Sequence, residues 1–367
     1  MNIAIFSPNK NPYSETFIQA HKNLLEGEIY YYYGNTWTGI TLEKGNEKFN
    51  KLSFTQKIKL KLSGGSVTQS QQQNLIDSIK NNKIEVALVE YGHHAHWLLP
   101  VLKAANIPFV VHFHGHDASE TTILKNVNNY SSVFHQASAV IAVSKIMSKD
   151  LIAMGCSKDK IHYTPCGPNE GFATIQPDFK SEQFAFVGRF TNKKAPYYCL
   201  FALKKVLSEF PNAKLVMAGD GVLQESCINI SKSLKLEKSV TFKGVVTPKE
   251  VRTLYKNSIG FVLPSVKAEN GDSEGTPVAV MEASLAGLPV ISTYHAGIPD
   301  VIVDQETGLL CDEHDVEAMA LNMQKILSDL EFAKTMGAAG RRRINEHYTL
   351  KRHIDTLNSI LRDAVNA

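Results

Sequence analysis

Short runs of consecutive apolar residues alternate with longer segments of helical spacing along the whole chain, and this alternation limits the possible folds. Strands that are apolar at successive positions are buried on both faces, as they are when helices cover both sides of a parallel sheet. The pattern therefore predicts an α/β fold built on parallel sheets. In the first half of the chain we predict strands over residues 2–6, 29–33, 85–90, 109–114, 139–143 and 161–164, and helices over 14–25, 70–81 and 144–154.

A segment with little periodicity separates two such halves. Residues 165–182 contain three prolines and two glycines, a composition that is typical of a linker. Beyond it we predict strands over 184–187, 214–218, 240–242, 260–263 and 289–292, and helices over 196–209, 222–234, 248–256 and 276–286. Because 367 residues are too many for one ordinary core, we predict an N-terminal domain over 1–168, a C-terminal domain over 183–348, and a final helix, 349–367, able to pack back on the first.

Composition argues against several classes of protein. The 39 basic and 36 acidic residues leave a net charge of +3, which is too small for a nucleic-acid-binding protein. The five cysteines lie far apart, in no metal-binding spacing, so we expect reduced thiols in a cytoplasmic protein. The chain begins with a strand rather than a leader peptide, and no run approaches the roughly 18 apolar residues that cross a bilayer. We therefore expect a cytoplasmic location.

A lysine-rich segment bears on that location. Lys48, Lys51, Lys57, Lys59 and Lys61 are interleaved with apolar residues, and no acidic residue lies between them. Such a segment can rest on an anionic membrane surface, which would make the protein peripheral to the cytoplasmic membrane. It can equally be a solvated segment whose apolar residues pack inward. The sequence leaves both interpretations open.

The densest cluster of candidate site residues is GDSEGTPVAVMEASLAGLPV, residues 271–290. Pro277 suits the first turn of a helix that begins inside this cluster, so Glu274 is expected in the preceding loop and Glu282 about two turns inside the helix. A helix N-terminus carries a partial positive charge that suits a diphosphate. One carboxylate can then bind sugar hydroxyls and the other a ribose diol. A helix start with a favourable acid near it would have the same pattern.

A second cluster, GRFTNKKAP, covers residues 188–196 and follows a predicted strand. Arg189 and Lys194 project beyond the strand end, where two fixed cations can neutralise a leaving diphosphate without a metal. An ordinary basic turn is the alternative interpretation. No D-x-D pair occurs in the sequence, which argues against a dedicated metal site for the diphosphate. The G-x-G-x-x-G fingerprint is also missing, which disfavours a nicotinamide oxidoreductase.

Histidines are concentrated at the ends of two predicted strands, in YGHHAH (91–96) and HFHGHD (112–117). The side-chain types that bind zinc are present here in His112, His114, His116 and Asp117. Gly115 interrupts the strand, however, so we expect these side chains to form hydrogen bonds at a cleft rim and predict no metal site.

Together and in this order, the motifs resemble the family 4 retaining glycosyltransferases of the GT-B fold. The resemblance is carried by GRFTNKK, GDG, VTFKGVV, LPS, GDSEGTPVAVMEA, AGLPV, HAGIP and TGLL, and SETFI and FHGHD add similarity to enzymes that build bacterial exopolysaccharide and colanic-acid-type units. It implies two Rossmann-like, doubly wound parallel-sheet domains with an interdomain cleft. It also implies transfer of a hexose-type sugar from a nucleotide diphosphate donor, with UDP favoured, to a saccharide or polyprenyl-linked saccharide. Retention of configuration and independence of metals and cofactors are implied as well.

The resemblance further implies roles for individual residues. His114 would lie by the reacting sugar, Arg189 and Lys194 would hold the diphosphate, and Glu274 would contact the sugar hydroxyls. The implied donor contacts are Gly188, Gly219, Gly244, Val245, Gly275, Thr276, Pro277 and Glu282. Asp117 would line the acceptor side, with Ser14, Glu15 and Thr16 in a loop that lacks the family's paired glycines. An epimerase of the same architecture and a non-enzymatic nucleotide-sugar sensor remain as alternatives.

Overall fold

The strands of the first half of the chain form one mainly parallel sheet in the computed structural model, which describes residues 1–10, 13, 15–35, 39–49 and 66–367. The strands are β1 (Asn2–Ser7), β2 (Glu28–Asn35), β3 (Gly39–Leu42), β4 (Glu47–Lys48), β5 (Val86–Glu90), β6 (Phe109–Phe113), β7 (Ala139–Ala142) and β8 (Ile161–Tyr163). Within the described residues their order is β4-β3-β2-β1-β5-β6-β7-β8. Only the pairs that include β3 are antiparallel in this sheet as described.

A second sheet contains β9 (Gln183–Val187), β10 (Lys214–Ala218), β11 (Val240–Gly244), β12 (Gly260–Leu263), β13 (Val290–Thr293) and β14 (Gly308–Cys311). Its order over the described residues is β11-β10-β9-β12-β13-β14, and neighbouring strands pair in parallel. The direction in which strands are added reverses between β9 and β12 here, and between β1 and β5 in the first sheet. Ligands of doubly wound sheets bind beyond the carboxyl ends of the strands at such reversals.

Helices alternate with these strands because the intervening segments carry apolar residues at helical spacing. They are α1 (Thr16–Leu24), α2 (Val67–Asn81), α3 (Gly92–Ala105), α4 (His116–Ser119), α5 (Thr121–Asn126), α6 (Ser131–Gln136), α7 (Lys145–Ala153), α8 (Tyr197–Val206), α9 (Gln224–Ser233), α10 (Pro248–Lys256), α11 (Val278–Leu285), α12 (Ile298–Val301), α13 (Val316–Ser328), α14 (Leu330–His347) and α15 (Leu350–Asn366). No helix in the described ranges is long and apolar enough to cross a membrane.

The chain forms two compact units around the two sheets. The N-terminal unit comprises Met1–Val143, Met147–Thr164 and Ile354–Ala367, and the C-terminal unit comprises Ser144–Ile146 and Pro165–His353. Most of α15 thus belongs to the N-terminal unit, where the Glu26 N–H donates to Oδ1 of Asn358 at 3.0 Å and Arg362 pairs with the Glu26 carboxylate at 2.9 Å.

The α/β fold class predicted from the sequence is confirmed by these two parallel-sheet units. Each predicted strand occurs within two residues of the observed bounds, since runs such as Ile3 to Phe6 are fully buried as expected for strands covered on both faces. The short strands β3, β4 and β14 were not predicted. Ser14, Lys51, Lys57, Lys59 and Lys61, by contrast, lie outside the described residues.

Candidate functional site

The candidate donor residues of the C-terminal unit lie in turns at the carboxyl ends of neighbouring strands. Gly244 ends β11, Gly219 follows β10 and Gly188 follows β9, so the order of the turns repeats the order of the strands. The Gly219 N–H donates to the Gly244 carbonyl at 2.7 Å, and the backbone at Gly219 has φ +128°. A Cβ at Gly219 would lie 2.0 Å from the Gly188 carbonyl oxygen, so glycine is needed for these turns to meet.

At the reversal between β9 and β12, Lys194 and Glu274 form an ion pair. Nζ of Lys194 donates to Oε1 of Glu274 at 2.7 Å, and the Ser265 hydroxyl donates to the same oxygen at 3.2 Å. The two charged side chains are only 12% and 8% exposed. Burial alone would raise the pKa of Glu274, but the charges of Lys194 and Lys193 lower it to about 2. The carboxylate is therefore ionised and already paired.

The lysine stem reaches this position by passing over Gly188. A Cβ at Gly188 would lie 2.9 Å from Cδ of Lys194. A side chain at position 188 would therefore push the lysine away from Glu274, which gives a packing reason for glycine there.

Lys193, to which the sequence interpretation assigned no role, fastens the same loop a second time. Its buried Nζ donates to Oδ1 of Asp272 at 2.8 Å and to the Ser273 carbonyl at 3.2 Å. Its own carbonyl accepts the Val266 N–H at 2.8 Å, which joins the turn after β9 to the segment after β12. Two consecutive lysines thus hold the loop over residues 272–274.

Arg189 differs from Lys194, although the sequence grouped them as two diphosphate-binding cations. Arg189 is exposed, and among the described residues no carboxylate forms an ion pair with its guanidinium. Lys194 is paired with Glu274. In this structure, therefore, Arg189 is available to bind an anion without exchanging an internal partner, whereas Lys194 is not.

His295 supports Glu274 from the turn after β13. The Glu274 N–H donates to Nε2 of His295 at 3.1 Å, so that nitrogen carries a lone pair and the ring proton lies on Nδ1. Nδ1 in turn lies 2.6 Å from Oε1 of Glu313, whose other oxygen accepts the Lys267 N–H at 2.8 Å. Burial would raise the pKa of Glu313, but these hydrogen bonds hold it below its usual value. His295 lies in the HAGIP motif, but its role depends on contacts with Glu274 and Glu313, which are distant from it in sequence.

The helix after this loop begins slightly later than expected. Pro277 precedes α11 as its extended N-cap residue instead of occupying the first turn. Gly275 and Thr276 are buried, and the Gly275 carbonyl accepts the Gly297 N–H at 3.0 Å. Val245, two strands beyond the reversal, is 50% exposed. Backbone of the loop is therefore packed tightly, while an apolar side chain beside Gly244 faces solvent.

Glu282 has the opposite environment to Glu274. It lies within α11, partly buried, and burial raises its pKa to about 8. No hydrogen bond or ion pair to its carboxyl group occurs within the described part of the chain. Its carboxyl group is thus close to its titration point at neutral pH and has unused hydrogen-bonding capacity.

In the N-terminal unit, a buried carboxylate at the end of β5 gathers three histidines. Oε1 of Glu90 lies 2.6 Å from Nδ1 of His21, and Oε2 lies 2.7 Å from Nε2 of His114 and 3.5 Å from Nδ1 of His112. The His114 ring stacks on Phe17 with centroids 4.4 Å apart. Burial would raise the pKa of Glu90, but the charge of His21 and hydrogen bonds from His114 and His21 hold it well below its usual value.

Glu15 lies beside this cluster, immediately before α1. Its Oε1 accepts hydrogen bonds from the Tyr91 hydroxyl at 2.9 Å and from Nδ2 of Asn9 at 3.0 Å. Its Oε2 is buried and has no hydrogen-bond donor among the residues described. Burial raises the pKa of Glu15. Tyr91, which donates to Glu15, has a backbone φ of 70°, a strained conformation for a non-glycine residue. Thr16, the residue after Glu15, is exposed.

Asp117, the acceptor-side candidate, is bonded to the backbone around it. Its side chain is fully buried, and its oxygens accept the backbone N–H groups of Gly92 at 2.8 Å, His114 at 2.9 Å and Gly115 at 3.1 Å. Because both oxygens are bonded to backbone, Asp117 holds the turn that carries His114. Gly115, with φ 142°, lies two residues after the end of β6 and directly precedes α4, in which His116 lies.

The sequence matches two family models that follow each other without a gap. They are Glycosyltransferase Family 4 over residues 54–170 and Glycosyl transferases group 1 over residues 171–343. Among curated relatives, the amylovoran biosynthesis glycosyltransferase AmsK of Erwinia amylovora is 31% identical over 242 residues, 64% of this chain and 60% of AmsK. The putative colanic acid biosynthesis glycosyltransferase WcaL of Escherichia coli is 29% identical over 212 residues, 57% of this chain and 52% of WcaL. The chain therefore spans little more than half the length of these relatives.

Solved structures share the fold at low sequence identity. Anabaena HepE, crystallised with UDP and glucose, superimposes with a TM-score of 0.78 at 15% identity over 99% of this chain and 100% of HepE. Sucrose-phosphate synthase of Thermosynechococcus elongatus gives a TM-score of 0.75 at 18% identity over 99% of this chain and 98% of the other. The two consecutive family matches and this shared architecture agree with the motifs, and the chain belongs to the family 4, group 1 glycosyltransferases of the GT-B fold.

Proposed function

We propose that the protein is a retaining, metal-independent glycosyltransferase that moves a hexose-type sugar from a nucleotide diphosphate donor, with UDP favoured. The acceptor is a saccharide or polyprenyl-linked saccharide of surface polysaccharide biosynthesis. The observation that carries the proposal is the buried Lys194–Glu274 ion pair at the sheet reversal, directly before α11. The names of WcaL and AmsK support the pathway, and the UDP and glucose bound by HepE support the donor.

Donor binding is assigned to the C-terminal unit. Arg189 and the amino end of α11 bind the diphosphate, because one is an uncompensated cation and the other carries a partial positive charge. Glu274 accepts hydrogen bonds from sugar hydroxyls and Glu282 from the ribose. Val245 lies against the base. The backbone around the donor is formed by the turns at Gly188, Gly219, Gly244, Gly275, Thr276 and Pro277.

Negative charge develops on the diphosphate as its bond to the anomeric carbon of the sugar breaks, and catalysis follows from stabilising that charge. Arg189 stabilises that charge, and Lys194 joins it when sugar hydroxyls take over the Glu274 oxygens. Fixed cations at a site of developing charge commonly lower a barrier by about 3 kcal/mol each. The leaving phosphate accepts the proton of the attacking hydroxyl on the same face of the sugar, which retains the anomeric configuration. No step requires a metal in this scheme.

Acceptor binding is assigned to the N-terminal unit. His114 contacts the reacting sugar, and Oε2 of Glu15 accepts a hydrogen bond from an acceptor hydroxyl, since it is a buried acceptor atom without a donor among the described residues. Thr16 and Ser14 flank it in the chain. Whether Lys48 and the lysines that follow it contact an anionic membrane is a separate question, which pelleting with anionic and neutral liposomes decides.

Thermal unfolding with UDP, GDP and their sugar conjugates tests the donor assignment. A ligand at 100 times its Kd adds about 2.7 kcal/mol to the stability of the folded state. We expect UDP-hexoses to stabilise the protein more than UDP does, and Glu274→Gln to remove the difference while keeping the response to UDP. Glu237→Gln, at an exposed position outside the site, is the matched control.

Product analysis then tests the reaction. Transfer to a lipid-linked saccharide should yield a product with the anomeric configuration of the donor, at a rate that EDTA does not change. Inversion, or full inhibition by EDTA, would contradict the mechanism. An altered nucleotide sugar formed without any acceptor would identify an epimerase instead.

A further inference from the structure

Glu90 is a fully buried carboxylate that joins histidines from two different elements. His21 comes from α1 and approaches Oε1 at 2.6 Å, whereas His114 follows β6 and approaches Oε2 at 2.7 Å. Glu90 and His21 are 0% exposed and the His114 side chain is 6% exposed. His114 is therefore the member of the three that lies nearest to solvent.

Each oxygen of an ionised carboxylate accepts hydrogen bonds, so both rings present an N–H to Glu90. For a neutral His114 this places the proton on Nε2 and the lone pair on Nδ1. Which nitrogen of a histidine carries the proton is set by the hydrogen bond that the other nitrogen makes. Stacking on Phe17, with centroids 4.4 Å apart, and a tilted contact with the His112 ring, with centroids 4.2 Å apart, limit rotation of the ring further.

A metal ion fits this group less well. Ligand atoms of His21, Glu90 and His112 lie within 4.8 Å of one another, but all three side chains are buried. A closed structural zinc site takes four ligands, and a catalytic site keeps an open position for water or substrate. The short contact between His21 and Glu90 is also that of a direct hydrogen bond, which leaves no room for an ion between them.

We propose that Glu90, held by His21, is a positioning residue that fixes the ring orientation and the Nε2-protonated form of His114. Nδ1 of His114 then faces the reacting sugar as a hydrogen-bond acceptor. The inference rests on the proposed contact of His114 with that sugar. Asp117 completes the arrangement from the backbone side by accepting the His114 N–H at 2.9 Å.

Glu90→Gln gives the sharpest test because glutamine offers one acceptor and one donor where glutamate offers two acceptors. One of the two histidines must then change its tautomer or lose its hydrogen bond. Long-range 1H–15N correlation spectra of 15N-histidine-labelled protein distinguish the two tautomers, and the spectrum of His114→Gln assigns the His114 signals. We expect Nε2-protonated His114 in the wild type and a changed His114 or His21 ring in Glu90→Gln. A wild-type His114 protonated only on Nδ1, or unchanged rings in the variant, would overturn the proposal.

Kinetics supply the second readout. In Glu90→Gln, kcat should fall about tenfold, the effect of one misplaced hydrogen bond, while the donor KM is unchanged. Glu85→Gln is the matched control, because Glu85 lies next to the start of the same strand and its side chain is 48% exposed. A normal kcat in Glu90→Gln, with Glu85→Gln also normal, would overturn the positioning role.

A second pair of variants covers the case in which Glu90→Gln does not fold, as judged by circular dichroism and thermal unfolding. His21→Phe removes the donor to Oε1 and keeps a ring of similar size, whereas His21→Asn keeps an N–H donor near the Nδ1 position. We expect the first to disturb His114 and the second to restore it. Equal spectra and equal kcat in the two would count against the proposal. If wild-type protein transfers no sugar from any donor, the proposed function fails, while the spectra still decide how the His114 ring is held.

Discussion

At each candidate site one carboxylate is paired with a lysine or with histidines, and another has an oxygen without a hydrogen-bond donor among the described residues. In the C-terminal unit Glu274 is paired with Lys194, which lowers its pKa to about 2, while burial raises the pKa of Glu282 to about 8. In the N-terminal unit Glu90 is held by His21 and His114, whereas Oε2 of Glu15 has no donor among the described residues. The paired carboxylates organise neighbouring groups, and Glu274 binds a ligand only by exchanging its partner, whereas Glu282 and Oε2 of Glu15 can gain hydrogen bonds directly.

The two bonded carboxylates also differ in their partners. Glu274 accepts from a lysine ammonium, which carries three equivalent N–H donors. Glu90 instead accepts from imidazole rings, so its hydrogen bonds depend on which ring nitrogen of each histidine carries the proton.

Removing the lysine partner should have the largest effect. Lys194→Met leaves Glu274 buried without its paired cation, which costs about 3–5 kcal/mol of unfolding free energy. It also removes a group that stabilises the diphosphate, which lowers turnover roughly 100-fold. The double variant Lys194→Met/Glu274→Gln should recover most of the stability but not the turnover. Urea unfolding and transfer assays measure both quantities.

Acid unfolding tests the same ion pair, because the lowered pKa of Glu274 fixes the direction in which its contribution to stability changes with pH. Because the pKa of Glu274 falls from 4.5 to about 2 on folding, the pair stabilises the protein fully above pH 4.5 and loses this effect as the pH falls towards 2. The double variant should lack that part of the acid transition. Arg189→Ala is the matched control: it should lower turnover by a similar factor but change stability by less than about 0.5 kcal/mol, since Arg189 is exposed. Normal stability and turnover in Lys194→Met would remove the basis of the donor site.

The sequence identified the members of this pair but not their contact. Lys194 and Glu274 are 80 residues apart and meet only because β12 was added beside β9 in the sheet, an order that periodicity does not reveal. For the same reason His295 was part of a quoted motif without a role, and Lys193 was overlooked beside Lys194. Asp117 was placed on the acceptor side by the family resemblance alone, and its backbone hydrogen bonds, which depend on the turn at Gly115, were not foreseen.

Local pattern was sufficient where burial alone determines the residue type. Buried parallel strands were predicted because they need apolar residues at successive positions. Length is not the reason that β3 and β14 were missed, because β7, β12 and β13 also have four residues and were predicted. The two residues of β4 are exposed and carry no apolar run. The positions of buried strands were thus predictable from local pattern, and the contacts of individual side chains were not.

Neutralising the second carboxylate of the C-terminal unit should stabilise the protein. With its folded pKa at about 8 and its usual value at 4.5, Glu282 supports folding fully below pH 4.5, and this support is lost as the pH rises towards 8. Glu282→Gln should therefore gain about 2 kcal/mol at pH 8, after allowance for partial exposure, and nothing at pH 4. Urea unfolding at both pH values, with Glu237→Gln as the control, measures the difference.

The same variant separates a binding role from a purely structural one. Ribose hydroxyls that donate to Glu282 favour its ionised form, so UDP binding near pH 7 should release a proton. Calorimetry in buffers of different ionisation enthalpy detects this release. In Glu282→Gln the proton release should disappear, and the affinity for UDP should fall about tenfold. Unchanged affinity and proton release in the variant would exclude Glu282 from the donor site.

Changing the second carboxylate of the N-terminal unit should have the smallest effect and alter a different parameter. In Glu15→Gln the amide oxygen can still accept from Tyr91 and Asn9, while the amide nitrogen places a donor where Oε2 offered an acceptor. An acceptor hydroxyl then loses its partner, so the acceptor KM should rise about tenfold with donor affinity and stability unchanged. Initial rates at varied acceptor concentration measure this, with the exposed Glu26→Gln as the control.

The pH dependence of the acceptor KM tests whether Glu15 binds the substrate hydroxyl as an ionised carboxylate or only packs against it. Burial raises the pKa of Glu15 above its usual 4.5, so the carboxylate that binds a hydroxyl is lost as the pH falls, and lost earlier than for an exposed glutamate. The wild-type acceptor KM should therefore increase towards acid pH, and that of Glu15→Gln should stay level through the same range. If Glu15→Gln raises the donor KM instead, Glu15 and Glu282 serve the same ligand, and the division between a donor-binding and an acceptor-binding unit is wrong.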